Sequence, residues 1–387
     1  MNGNFELVRV LGIPIRINIS WFLLLAFITA ILALRVYPAL LPPRSAYRED
    51  EVMHWAMALL SGIAFFVSIV LHELAHSVVA RKQNIPVKGI TLFVFGGVSQ
   101  ITAEPRKPSH EFLMAIVGPL TSALLAGVFF IAFMLIGGSG RQPIALVCEW
   151  LFVMNIVLCI FNMAPGFPMD GGRVFRSLIW GSTGDFFTAT RIATALGRVM
   201  GILLIGGGLL VTLGVVRFFD QWSAVWMFVI GIFLESSARQ GWLQAQALNA
   251  LGQFHAEEVM SRDLETVDRR TSLAIVRARG ARRRFIFFVA DEADQVLGVV
   301  TEKELDAVAA DRVLSATAEE AMTRAGSAPV ASLRDDGATL LQTMEAQDVW
   351  HLPVVSESRV VGVVSKESLL RIIAGRLVHR PSLAGTT

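Results

Sequence analysis

His72, Glu73 and His76 lie in the stretch LHELAHSVVA, residues 71–80, within a run otherwise apolar enough to cross a bilayer. On a helix, positions i and i+4 share a face, so the two imidazoles can reach one metal ion while the Glu73 carboxylate beside them stays free for a bound water. This HExxH spacing is the zincin arrangement. A charged side chain at bilayer depth costs about 3 kcal/mol or more unless something offsets it. A chance pair of packed histidines, a fair account in a soluble helix, is therefore a poor one here.

A hydrolytic zinc takes three protein ligands and keeps one position open. FNMAPGFPMDGG, residues 161–172, supplies Asp170 at the end of a later apolar run. Pro165 and Pro168 break that helix, and Gly171 and Gly172 leave room around a ligand. Taken alone, Asp-Gly-Gly reads equally well as a turn. With a rise of ~1.5 Å per residue, His72 and His76 sit about 8 to 14 Å inside the basic flank at Arg81, a layer that Asp170 can share.

The chain that must position these groups has 387 residues, 54% hydrophobic and 17% charged, with a net charge of +2. That is a polytopic membrane protein, and no Lys/Arg run is built for nucleic acid. Cys148 and Cys159 have no metal or disulfide spacing and read as packing residues. Hydropathy predicts six spans, at about 17–36, 54–80, 110–137, 143–164, 188–216 and 221–238. The first has basic residues before it, as a signal peptide would, but it reads as a first anchor. Arg81, Lys82, Lys88, Arg106, Lys107, Arg173, Arg176 and Arg191 flank the second and fourth spans. The positive-inside rule then puts those connections, both termini and the C-terminal domain in the cytoplasm. VKGITLFVFGGVSQI, residues 87–101, is a hairpin signal around Gly96 and Gly97, and its apolar strands suit a small membrane-associated sheet. An edge strand there, with Gly96, Gly97 and Val98, can pair with an unwound substrate; a purely structural hairpin is the alternative. Gly206 to Gly208 suit close helix packing.

After Arg239 the composition turns polar. Residues 1–240 read as the membrane domain, 241–254 as a Gln-rich linker and 255–387 as a domain with an internal repeat, about 255–310 and 316–375, in which Met260 answers Met322 and Gly298 answers Gly362.

Taken together, HELAH at 72–76, the N-x-x-P-x-x-x-x-D-G pattern at Asn162, Pro165, Asp170 and Gly171, and the Gly118-Pro119 pair resemble the site-2 protease family of intramembrane zinc metalloproteases. The N-terminal segment LGIPIRINISWFLLL and the six-span layout resemble the subgroup with cytoplasmic CBS domains. A departure is Ser122, where family members often carry Asn; it is expected to alter a local helix contact and leave the metal site untouched. The resemblance implies one Zn2+ at His72, His76 and Asp170, Glu73 as general base, and cleavage within transmembrane segments of membrane-protein substrates. It implies Asn162 as an oxyanion donor. Asn155 is either a second such donor or an interhelical hydrogen-bonding residue. The repeat resembles a tandem CBS pair, an α/β domain type whose clefts commonly take adenine nucleotides and which also serves for dimerisation. Thr301 and Ser365 match its pattern, but the usual Asp is replaced by Glu304 and Ser368, so at most one cleft, with Thr301 and Glu304, is expected to be competent. These features place the protein in the cell (inner) membrane. A CBS-regulated channel or transporter is the alternative reading.

Overall fold

A computed structural model describes residues 4–378 apart from 42–46, 48, 95, 102, 138–141, 217–219, 281–284, 292–294, 310–311 and 358. Phe95 of the expected hairpin and the last nine residues of the chain, 379–387, lie outside the described residues. The chain divides into two compact units, Met1–Leu243 and Gln244–Thr387.

The first unit begins with strands β1 (Asn4–Val10) and β2 (Ile13–Asn18), where the alternation of Ile13, Ile15 and Ile17 buries one face. Asn18 caps helix α1 (Ile19–Ile31), which continues through a π-helical turn at Leu32–Val36 into α2 (Tyr37–Leu40). Helix α3 (Glu51–Lys82) is capped by Asp50, whose side chain accepts from Met53 N. Strands β3 (Val87–Phe93) and β4 (Gly96–Ile101) follow. Helices α4 (Pro108–Leu135) and α5 (Pro143–Asn162) both start with Pro at the first turn, where the missing N–H costs nothing. Helix α6 (Asp170–Thr183) ends on left-handed Gly184, and Asp185 caps α7 (Phe186–Thr212). Helix α8 (Gln221–Leu251) completes the unit and runs on past it.

The sheet order is β1-β2-β3-β4, with β2 and β3 parallel and both hairpins antiparallel, so β4 forms an edge. The expected hairpin is thus half of a four-stranded sheet. Tyr37, Phe66, Leu92, Leu146 and Leu151 share the buried core, while Leu124, Leu135, Ile160 and Leu203 are exposed, as lipid-facing side chains are.

Among the described residues, five helical segments are long and apolar enough to cross a membrane: Ile19–Leu40, Glu51–Lys82, Pro108–Leu135, Pro143–Asn162 and Phe186–Thr212. The sixth expected span forms the start of α8. Its uninterrupted apolar run, Ala224 to Leu234, is only 11 residues, about 16 Å of helix against ~30 Å of hydrocarbon. Here Gly208 lies against the Ala224 carbonyl and Gly201 against Gly231, so these glycines set the close approach of α7 and α8.

The second unit holds α9 (Ala256–Val259), β5 (Thr266–Asp268), α10 (Leu273–Arg279), β6 (Ile286–Ala290), β7 (Val296–Thr301), α11 (Glu302–Ala307), α12 (Ala318–Ala321), β8 (Thr323–Arg324), β9 (Ala331–Ser332), α13 (Gly337–Gln347), β10 (His351–Ser356), β11 (Arg359–Ser365) and α14 (Lys366–Val378). Its sheets run β5-β6-β7-β8 and β11-β10-β9. The expected linker 241–254 differs from the structure, because α8 continues to Leu251 and that side chain is fully buried in the core of this unit.

Candidate metal centre

Helix α3 presents His72 and His76 on its buried face, 3% and 4% exposed. The α5–α6 connection brings in Asp170 as the first residue of α6. That connection folds back tightly: a Cβ on Gly171 would collide with the Met163 carbonyl, and one on Gly172 with the backbone of Gly166 and Phe167. The Phe167 N–H donates to Ala193 O on α7 at 3.2 Å.

Three atoms converge. Asp170 Oδ2 lies 3.0 Å from His72 Nε2 and 3.2 Å from His76 Nε2, and the two Nε2 atoms are 3.2 Å apart. The edges of a tetrahedron with ligands about 2.0–2.1 Å from a zinc ion are about 3.3 Å long, so the donor set fits zinc in both type and spacing. The opposite ring nitrogens strengthen the fit. His76 Nδ1 lies 2.6 Å from the Met114 carbonyl, which can only accept, so Nδ1 carries the proton. Neutral His76 then presents a bare Nε2 lone pair to a carboxylate oxygen, an arrangement that needs a cation between them. His72 Nδ1 is held at 2.8 Å by Ser122 Oγ. Both outer partners come from α4, and Gly118 on the same helix is the cradle, since a Cβ there would overlap Nε2 of both histidines. Ser122 therefore bears directly on a candidate ligand. The expectation that its departure from the family pattern leaves the site untouched is corrected by this contact.

Glu73 turns toward β4. Its Oε2 accepts from Ser99 N at 3.1 Å and from Ser99 Oγ at 2.7 Å. Gly97 packs against it, where a Cβ would come within 2.8 Å of Glu73 Cγ. Gly96 starts β4 and Val98 is exposed on it. Asn162 ends α5 and is half-buried, one residue before the Met163 carbonyl that packs on Gly171. Asn155 is fully buried, and its Nδ2 donates to Ser68 Oγ on α3 at 3.3 Å and to Leu151 O at 2.8 Å. One of these is an interhelical bond, and in this structure both amide hydrogens are engaged.

Long-range partners escaped sequence reasoning. Arg176 on α6, read as a flanking charge, is buried; it donates to Glu111 on α4 and, at 2.9 Å, to Glu104, and stacks on Phe167 and Phe186. Burial alone would raise the Glu104 carboxyl, but Arg176 and Arg173 outweigh it and hold that group below its ordinary range.

In the second unit, Thr301 and Glu304 form the capping box of α11. Glu304 Oε2 accepts from Thr301 N at 2.9 Å and from the Thr301 hydroxyl, and Oε1 accepts from Thr323 at 2.9 Å. Burial pushes this carboxyl up, but those bonds hold it below its ordinary value. A cavity of 700 Å³ in the same unit is lined by Val296, Val299, Pro353, Val355 and Arg359 among others, and not by Thr301 or Glu304.

Residues 60–145 and 137–206 match peptidase family M50, and residues 256–311 and 318–375 each match the CBS domain. The chain is 30% identical over 381 residues to a Synechocystis protein named as a zinc metalloprotease, covering 96% of each. It is 28% identical over 393 residues to one so named from Mycobacterium tuberculosis, covering 100% of this chain and 97% of that one. A solved site-2 protease from Methanocaldococcus jannaschii, 26% identical, covers 62% of this chain and 95% of its own at a TM-score of 0.42.

Proposed function

This chain belongs to peptidase family M50, the site-2 protease family, and from that premise we propose that it is a zinc-dependent intramembrane endopeptidase acting on transmembrane segments of other membrane proteins. The observation that carries the reading is the convergence of Asp170 Oδ2 with two histidine Nε2 atoms whose Nδ1 positions are already engaged. His72, His76 and Asp170 would hold the metal. Bound there, zinc supplies a water acidified toward neutrality and polarises the scissile carbonyl.

Glu73 takes the proton of the attacking water and returns it to the departing amine. Asn162 donates its amide to the carbonyl oxygen as charge builds there. A transmembrane helix hides its peptide groups in its own hydrogen bonds and must unwind to be cut, so its freed backbone needs partners. The edge strand β4, around Gly96, Gly97 and Val98, offers them beside Glu73.

We read the start of α8 as a sixth span, with both termini and the CBS pair on the cytoplasmic side of the cell (inner) membrane. Exposed Arg81, Lys82, Lys88, Arg106 and Lys107 support that orientation even with Arg176 paired internally. The CBS pair takes an adenine nucleotide, modulates cleavage and supports a homodimer; its 700 Å³ cavity is large enough for such a ligand.

Metal analysis of purified wild type and Glu73→Gln, with cleavage of a synthetic transmembrane peptide in detergent, tests the central reading. Both proteins should carry one zinc per chain, and only the wild type should cut. Zinc-free protein, or cleavage by the variant, overturns it.

A further inference from the structure

The sheet and the metal centre meet at one side chain that the reading above does not use. Ser99 sits at the middle of β4, and its N–H and hydroxyl both reach Glu73 Oε2, at 3.1 and 2.7 Å. Among the described residues, no other group donates to this carboxylate, so its second oxygen, Oε1, is left for a water. The hydroxyl is itself oriented. Ser77 Oγ, one helical turn beyond Glu73 and fully buried, lies 3.2 Å away as donor to Ser99 Oγ. Ser99 has one hydroxyl proton, and the charged oxygen at 2.7 Å outcompetes the Glu73 carbonyl at 3.1 Å.

The register says which way β4 faces. Val98 pairs with Thr91, and Ser99 with Ile90. Since the Ser99 N–H goes to Glu73, it points away from β3, as does that of Gly97 two residues earlier, while Val98 turns its N–H toward β3. The outward donors are those that an added strand would use.

We propose that Ser99 is a positioning residue that orients the catalytic carboxylate from the very strand the substrate joins. Substrate pairing draws the Ser99 N–H to a substrate carbonyl, and the hydroxyl, fixed by Ser77, then keeps Glu73 in place with Oε1 toward the attacking water. Base orientation and strand docking thus share one residue. This rests on the reading of Glu73 as the base and of β4 as the docking edge.

Ser99→Ala, Ser99→Thr and Ser77→Ala in the full chain test it, with zinc content, KM and kcat measured on a transmembrane peptide. In parallel, a photo-reactive side chain in place of Val98 reports peptide docking by cross-linking yield, without reference to turnover. Ser99→Ala should lower kcat about tenfold or more, the worth of one charge-assisted hydrogen bond. Zinc, KM and cross-linking should be unchanged, Ser99→Thr should recover most of the rate, and Ser77→Ala should lose part of it. An unchanged kcat, a loss confined to KM, or a loss of zinc that Ser99→Thr shares overturns the role of Ser99. An absent cross-link at position 98 in the otherwise native chain instead overturns the docking edge.

Discussion

At the residue scale, the three groups proposed as ligands could be picked out because their logic is local. His72 and His76 are a helical pair, and Asp170 follows two prolines and precedes two glycines that a tight return requires. What holds the two histidines and Glu73 was not legible, because Ser122, the Met114 carbonyl and Ser99 lie 50, 38 and 26 residues from their partners. No period or spacing links such positions. The contacts to the histidines fix ring orientation and tautomer, and losing such a contact typically costs 10- to 100-fold in metal affinity. Ser122→Ala should therefore weaken zinc binding by about that factor, read by competition with a chelator. Gly118→Ala should abolish binding while the protein still inserts, because the added methyl fills the space in front of both Nε2 atoms. Full zinc occupancy in Gly118→Ala would show that the histidines do not face one another as described.

At the element scale, periodicity predicted six spans and one hairpin; five of those spans are helices long and apolar enough to cross a membrane, and the hairpin is part of a larger sheet that pattern did not show. No strand was expected before the first span, yet Ile13, Ile15 and Ile17 alternate with less buried neighbours and form β2, which β3 joins in parallel. The start of α8, with its short apolar run, packs on α7 through glycine contacts. Two neighbouring glycines test that packing. A Cβ at Gly208 would lie 2.8 Å from the Ala224 carbonyl and 3.2 Å from Phe228 N, backbone atoms that move only if the helices part, whereas one at Gly206 meets nothing within 4 Å. Gly206→Ala should leave the thermal midpoint in detergent unchanged or raise it, since Gly in a helix costs about 0.5–1 kcal/mol relative to Ala. Gly208→Ala should lower it, by a destabilisation of about 1–3 kcal/mol from overpacking. Equal behaviour of the two variants would remove the glycine seam as the reason α7 and α8 pack closely. Proline at Val98 would break the pairing with β3, and the Val94 N–H is already given to Ser20 Oγ at 3.3 Å, so neither position tests the outer edge cleanly.

At the scale of the whole molecule, composition separated a membrane part from a repeated polar part, and the repeat was visible because Met260 and Met322, Gly298 and Gly362 stand in matching places. How the repeats pack was not visible, because matching residues need not touch. In the structure each repeat lends its leading segment to the other. Met322 and Thr323, from the second, close on Gly298 of the first, and β8 extends the β5-β6-β7 sheet. In return, Met260 packs on Gly362, and Ser261 exchanges two backbone hydrogen bonds of 2.9 Å with Val363. Leu251 and Ala256 lie in the second core, beside Leu340 and Val354. Neither half then owns a complete core, so the C-terminal unit should unfold as one cooperative body. Gly298→Ala places a methyl 2.5 Å from the Thr323 carbonyl, a backbone atom that must shift. Amide hydrogen exchange on the full chain should accelerate in both β6 and β10, although the substitution touches only the first half. Faster exchange confined to β6 would mean that the exchanged segments do not couple the halves, and that each repeat is stable on its own.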